Sequence, residues 1–318
     1  DPQLTELIEL ALENNKELAA TRAKLEEARA MARAAQANLG PEVGATTTAM
    51  GTANRLRNPA SNEARDILGV VGSDLGDRYL SINAGGLSAG IAASWEPDFF
   101  GHKQADIDAA TQGAIARAEQ WHAAQMLLTT DITDYYSQWM YFGEKQSLSA
   151  QQIQHLKNLL RYVNARFEAG QATAYDVLQI ETQIQAATAA KTILEAQKAD
   201  AERRIAVLTG QVPQNFKLQA TQRHLANQTP PMPNGQTPAY ILNRRPDVRA
   251  NQALVYAASA QLAGARADLL PRFKINFLGQ GGVVSLDSDA PNIRGLSSLV
   301  SVGVQLPIFT AGRIQANI

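Results

Sequence analysis

The chain contains no cysteine. Disulfide staples and thiolate metal sites are therefore excluded, and the composition fits an oxidising compartment without requiring one. Neither sign of charge prevails: the formal net charge is −1, and Lys and Arg are scattered rather than clustered. Without a basic footprint, no nucleic-acid partner is expected. Aromatic residues make up only 6%, whereas Ala, Gln and Leu abound, a bias of long helices in coiled coils. No apolar run reaches the ~18 residues of a membrane-spanning helix. No signal peptide is visible and Asp1-Pro2 reads as a helix start, so an exported protein would be in its mature form here. His102, His122, His155 and His224 are dispersed, with no second ligand at metal spacing, and read as surface residues. Glu96 and Asp98 have no nucleophile or base partner in view. No catalytic constellation emerges, so neither an enzyme nor a cofactor nor a metal is expected.

What the chain does contain is an internal repeat. Aligning Pro41 with Pro271 superposes "LEEARAMARAAQANLGPEVGA" on "VYAASAQLAGARADLLPRFKI". A second match places "GHKQADI" on "GRIQANI", and aligning the nearby prolines requires one residue inserted before the glycine. Each copy reads helix, proline, strand, loop, strand, proline, helix. The chain is a tandem duplication.

The strands alternate. Phe273, Ile275 and Phe277 fall on one face, and Arg272, Lys274 and Asn276 on the other. Val300, Val302, Val304 and Leu306 stand opposite Ser301, Gly303 and Gln305; Leu87, Ala89, Ile91, Ala93 and Trp95 stand opposite Ser88, Gly90 and Ser94. The stretch from Val43 to Gly51 alternates more weakly. Such patterns suit a soluble sheet with one wet face or a membrane barrel with a polar lumen. The absence of an apolar helix to cover the strands favours the barrel. Trp95, Phe99 and Phe100 suit either a core or an interfacial aromatic girdle. "GQGG" at 279–282 follows a strand without opening a helix, so it reads as strand or loop glycine rather than a phosphate loop.

Between them lies a long helical stretch. From His102 to Glu168 there is no proline, and apolar residues step by four and three: Leu128, Ile132, Tyr135, Trp139, Phe142, then polar Gln146 and Ser149, then Ile153, Leu156, Leu160, Val163 and Phe167. A helix of that span would be roughly 100 Å long. Gly170 suits a left-handed C′ position, and Thr173 with Asp176 suits the start of a second helix. A returning seam follows from Val177 through Ile180, Ile184 and Ile205 to Leu208, giving an antiparallel hairpin. "PPMPNGQTPAY" then reads as an extended linker, and "NRRPDVRA" restarts a helix with Pro246 in its first turn.

"RRPDVRANQAL", "ADLLPRFKI", "PIFTAGR" and "RFEAGQATAYDVLQIETQ" together resemble the outer-membrane efflux channels of Gram-negative bacteria, in the NodT/OprM-type branch of the TolC-like family. The resemblance covers essentially the whole chain, in order. It implies a mainly α protein with membrane β structure: a long α-helical coiled-coil hairpin, plus four strands given to a trimeric 12-stranded transmembrane β-barrel. The implied organisation is periplasmic helices over 1–40, a barrel hairpin over 41–97 with an extracellular loop at 52–78, and the coiled coil over 98–209 with its tip at 168–177. An equatorial region over 210–246 and a helix over 247–270 follow. A second barrel hairpin over 271–307 has its loop at 284–296, and a helix begins at 308. Family members continue with another helical hairpin, which the resemblance implies beyond Ile318.

The function so implied is the exit duct of a tripartite multidrug efflux pump, seated in outer-membrane lipid and extending into the periplasm. Its expected partners are two further copies of itself, a periplasmic membrane-fusion adaptor and an inner-membrane transporter. By resemblance, Arg166, Gly170, Ala172, Thr173 and Val177 belong to the tip on which adaptors dock. Asp176 matches an aspartate that holds the aperture closed. Arg272, Lys274 and Asn276 are expected to line the lumen. A duct for type I protein secretion and a soluble coiled-coil adaptor are the alternative readings. A strand-rich domain split by the hairpin would mark the adaptor, whereas a duplicated strand pair is present.

Overall fold

The computed structural model of the protein describes residues 1–57, 59–70, 79–219, 237–286 and 292–318. His224, most of the proline-rich linker and the middle parts of both inter-strand loops lie outside the described residues. The element order is α1 (Pro2–Asn14), α2 (Lys16–Ala37), β1 (Glu42–Arg57), α3 (Asn62–Val70), β2 (Tyr79–Trp95), α4 (His102–Glu168), α5 (Ala174–Leu208), α6 (Pro238–Arg244), α7 (Pro246–Ala267), β3 (Arg272–Leu286), β4 (Ile293–Gln305) and α8 (Arg313–Asn317). These form two units. One comprises Asp1–Arg29 and Gly113–Val255, the other Ala30–Gln112 and Tyr256–Ile318.

The first unit is helical. Its core joins Leu7, Ala11 and Leu18 to Leu128, Ile132, Tyr136 and Trp139 of α4 and to Ala201 and Ile205 of α5. Asn15 marks the break between α1 and α2: its Oδ1 accepts from the Leu18 N–H, and its Nδ2 donates to the Leu208 carbonyl at 3.0 Å. One side chain thus satisfies a helix start and a helix end. From this core onward, α4 and α5 pack as an antiparallel pair. Arg204 reaches the Tyr135 hydroxyl, Lys198 lies over the Trp139 ring, and Gln146 donates to Glu195. Every seam residue named above from Leu128 to Val163, and from Val177 to Leu208, is buried or half-buried, Gln146 and Ser149 included. Phe167, next to the turn, is exposed. Buried Glu119 of α4 pairs with Arg249 of α7 at 2.7 Å.

Two expectations are corrected, one in each unit. The segment from Pro238 is a short helix rather than an extended linker, because Thr237 accepts from the Tyr240 N–H and proline at the first helical position sacrifices no hydrogen bond. The strands also run into the segments expected to be loops. β1 reaches Arg57, β3 reaches Leu286 and β4 begins at Ile293, since ladder hydrogen bonds use the backbone and do not need alternating side chains. The first inter-strand connection also holds α3.

The second unit is built around an antiparallel sheet in the order β1-β2-β3-β4. Its register places Val43, Ala93, Phe277 and Val300 in one row across all four strands. The next rows on that face hold Ala45, Ile91, Gly279 and Ser298, then Thr47, Ala89, Gly281 and Leu296. The opposite face carries Glu42, Ser94 and Asn276, with Arg272 and Lys274 alongside. Gly90 lies on this second face, where an added Cβ would sit 2.3 Å from the Gly279 carbonyl oxygen. Only glycine permits that approach.

The register also corrects the repeat alignment. Glu42 pairs with Ser94, and its counterpart Arg272 pairs with Gln305. Ser94 therefore corresponds to Gln305, an offset of 211 that also carries Gly101 onto Gly312. These two glycines have φ of 75° and 79°. No insertion separates strand from helix; it is the prolines, Pro97 and Pro307, that are out of step by one.

Candidate functional site

The turn between α4 and α5 is closed twice by hydrogen bonds. Gly170, with φ of 71°, donates to the Phe167 carbonyl while Gln171 donates to that of Arg166 at 2.8 Å, the paired bonds of a Schellman ending. Arg166 stacks by its guanidinium on Tyr162 and donates to the Gln171 carbonyl, satisfying a further acceptor. Two residues on, Thr173 caps α5 by accepting from the Asp176 N–H. The Asp176 carboxylate in turn accepts from the Thr173 N–H and hydroxyl, each at 2.7 Å. This is a capping box with aspartate in place of the commoner glutamate. Those bonds, the backbone one foremost, hold the Asp176 carboxyl below the usual carboxylate range, and Arg166 adds a smaller pull in the same direction. Ala172 and Val177 are half-buried, and Val177 opens the returning seam.

The structure thus gathers Arg166, Gly170, Thr173 and Asp176 into one hydrogen-bonded turn. It also presents two residues the sequence reading passed over. Tyr175 is 72% exposed and Leu178 is 61% exposed. Both stand off the seam positions, the one signal by which they could have been found: apolar side chains near the start of α5 with no place in its packing.

Arg272, Lys274 and Asn276 belong to the other unit, on one face of β3. They border a polar cavity of about 650 Å³ that Glu42, Ser94 and Lys103 also line. The base of the sheet is tied to the helices beneath it. Lys103 donates to the Asn38 carbonyl at 2.7 Å, and the Trp95 indole to that of Leu39 at 2.9 Å. Phe99 meets Phe273 edge-on at 5.2 Å. The reading of His102 as a plain surface residue is corrected here. It is half-buried, with Nδ1 3.2 Å from the Gly264 carbonyl oxygen and 3.4 Å from Asp268 Oδ1, and Nε2 2.8 Å from Arg272 Nη2. Arg272 is itself paired with Asp268. Among the described residues no three His, Cys, Asp or Glu side chains converge as a metal site, and no described helix is long and apolar enough to cross a membrane.

A sheet with one apolar and one polar face, left open at β1 and β4, is thus carried by a chain that also folds a long antiparallel α-helical hairpin. The family model described as outer membrane efflux protein matches residues 7–211 and 238–318. The chain belongs to that family, and its place is the outer membrane. It is similar to the pyoverdine export outer membrane protein OpmQ of Pseudomonas aeruginosa, with 29% identity over 99% of this chain and 63% of that protein. It is also similar to the toluene efflux pump outer membrane protein TtgF of Pseudomonas putida, with 28% identity over 100% of this chain and 62% of that one. The chain thus spans less than two thirds of the length of these relatives. Among solved structures, the outer-membrane channel OprN superposes with a TM-score of 0.81 at 25% identity, over 99% of this chain and 66% of that one. CusC superposes with a TM-score of 0.79 at 22% identity, over 100% and 68% of the two chains, a likeness of fold.

Proposed function

We propose that this protein is the passive exit duct of a tripartite efflux pump. Three copies would close a 12-stranded barrel in outer-membrane lipid. A periplasmic adaptor would dock on the α4–α5 turn, and an inner-membrane transporter would supply the energy. The observation that carries this reading is the open four-stranded sheet with its two unlike faces. Unpaired edge N–H and C=O groups cannot face hydrocarbon, so the sheet must close with other strands to enter a membrane. Four strands are too few, and eight enclose an interior filled by side chains. Twelve, from three copies, is the smallest number that leaves a lumen. Arg272, Lys274 and Asn276 would then line water, and the row of Val43, Ala93, Phe277 and Val300 would face lipid.

Conduction needs no bond-making chemistry, so the protein acts as a conduit and not as an enzyme, without cofactor or metal. The relatives' names point to different cargo, pyoverdine for OpmQ and toluene for TtgF. Related walls serving such different molecules support a duct that passes what its pump delivers. The test is extraction of the full-length protein in detergent, mass measurement and reconstitution in planar bilayers. A three-chain mass with ohmic conductance is expected. A water-soluble single chain would end this reading.

A further inference from the structure

The duplication predicts how one copy of this chain meets the next. Both hairpins share one register, and the same offset continues from the strand into the helix start, as Gly101 and Gly312 show. Inside the chain, the second strand of copy one pairs with the first strand of copy two: Ala93 lies opposite Phe277, Ile91 opposite Gly279 and Gly90 opposite Gln280. The helices repeat that order, with His102 of α4 set against Gly264 of α7, Asp268 of the turn that follows it and Arg272 of β3. β4 is the second strand of copy two and β1 is the first strand of copy one, and each lies at an edge of the sheet.

We infer that a second copy of this chain lays its β1 against β4 in the register that β3 keeps with β2, and that Arg313 then meets Glu42 of the adjoining copy. Carried through the repeat, the pairing puts Val304 opposite Thr47, Val302 opposite Ala49 and Ser301 opposite Met50 of the neighbour. The inference rests on the proposed closure by several copies and adds its register.

Two observations support it independently. The first is the side-chain alternation: Val304 and Val302 lie on the apolar face of β4, while Thr47 and Ala49 lie on the same face of β1. A slip of one residue would set these faces against each other. The second is charge. His102 corresponds to Arg313 and Arg272 corresponds to Glu42, both of them exposed. Asp268 and Asp106, which flank His102 at 3.4 and 3.8 Å, correspond to Asn38 and Asn317. Inside the chain the His102 imidazole lies between two aspartates, and one of them, Asp268, also pairs with the Arg272 guanidinium. Between copies the aspartates are replaced by asparagines, and the Arg272 position holds a glutamate that faces the new arginine. The junction between copies is thus complementary in charge, as the one inside the chain is.

The test uses full-length protein in outer-membrane vesicles, with the cysteine pair Ser301→Cys and Met50→Cys compared with Ser301→Cys and Thr46→Cys. Directly opposed residues have Cβ atoms about 4.5–5.5 Å apart, whereas a four-residue displacement adds roughly 13 Å. Mild oxidation should shift the first pair from one chain mass to multiples of it on a non-reducing gel, and leave the second unshifted. Arg313→Glu and Glu42→Arg should each weaken the assembly, and together should restore it. Cross-linking of the second pair, or of neither pair with the multi-chain mass intact, overturns the register. So does a double charge reversal no more stable than the single ones, a readout that stands even where a cysteine variant misfolds. A single-chain mass for the unaltered protein would instead overturn the closure on which the register depends.

Discussion

Thr173 and Asp176 cap each other: the threonine hydroxyl accepts from the aspartate N–H, and the aspartate carboxylate accepts from the threonine N–H and hydroxyl. The pair closes the α4–α5 turn from the α5 side, as Gly170 closes it from the α4 side. Its direct consequence is a dependence on protonation. The Asp176 carboxyl is held below its ordinary value of 3.8 in the fold. Its stabilisation is therefore complete above the unfolded-state value and is lost as pH falls through the folded one. Amide exchange in the first turn of α5 should accelerate on acidification through that window. Asp176→Asn should exchange faster at neutral pH and lose most of the acid dependence.

The same aspartate is proposed to hold the aperture. Asp176→Ala should raise single-channel conductance of the full-length protein in planar bilayers without dissociating the oligomer. Links from such a carboxylate to a cation or a neighbouring helix at the tip are weak and salt-sensitive, so high salt should raise the conductance of the unaltered channel towards that of the variant. Unchanged conductance would reduce Asp176 to a helix cap.

Gly170→Val should impair efflux by distorting the turn. Gly170 has φ of 71°, a conformation that costs an ordinary L-residue about 1–2 kcal/mol and a β-branched one more. Gly170→Asn, which tolerates this region, should retain most activity in a drug-susceptibility assay. Equal loss in both variants would mean that the turn needs a bare backbone for docking rather than for shape.

On the sheet, Ile275 and Lys274 are neighbours in the chain and face opposite ways. Ile275→Arg should cost about 2–4 kcal/mol if near the bilayer midplane and less near an interface, read as reduced yield of assembled protein. Lys274→Leu should assemble normally. The reverse order would exchange the lipid and lumen faces.

The end of the hairpin remote from the helices is proposed to lie outside the cell. Arg57→Cys should react with a membrane-impermeant maleimide on intact cells. Reaction only after the outer membrane is breached would invert the topology. Asp289, the corresponding site in the second hairpin, lies outside the described residues.

Much of this architecture was legible because its periods are long. The seam from Leu128 to Val163 could be read through its polar interruption, since Gln146 and Ser149 keep the spacing of the apolar residues around them. Gly170 and Thr173 announced the turn by backbone chemistry alone. α6 was hidden because proline signals both an extended linker and a first helical turn, and the Thr237 cap decides between them only in three dimensions. The ends of β1 were hidden because Gly51 to Arg57 pairs by backbone without alternating. His102 looked like a surface residue because its three partners arrive from α7, the following turn and β3. No local spacing reports such a meeting.

The common register of the two hairpins has a consequence for how this chain can change. Counterparts are 230 residues apart on the outgoing strands and 211 on the returning ones. The whole length difference of the copies is therefore taken up between the strands, where one hairpin holds α3 and the other a short connection. A single residue gained inside a strand would turn every later side chain to the wrong face. Residues gained at the crest disturb no ladder. Insertions and deletions are thereby channelled to one rim of the wall, which can diversify from relative to relative while the strands and the helices below keep step.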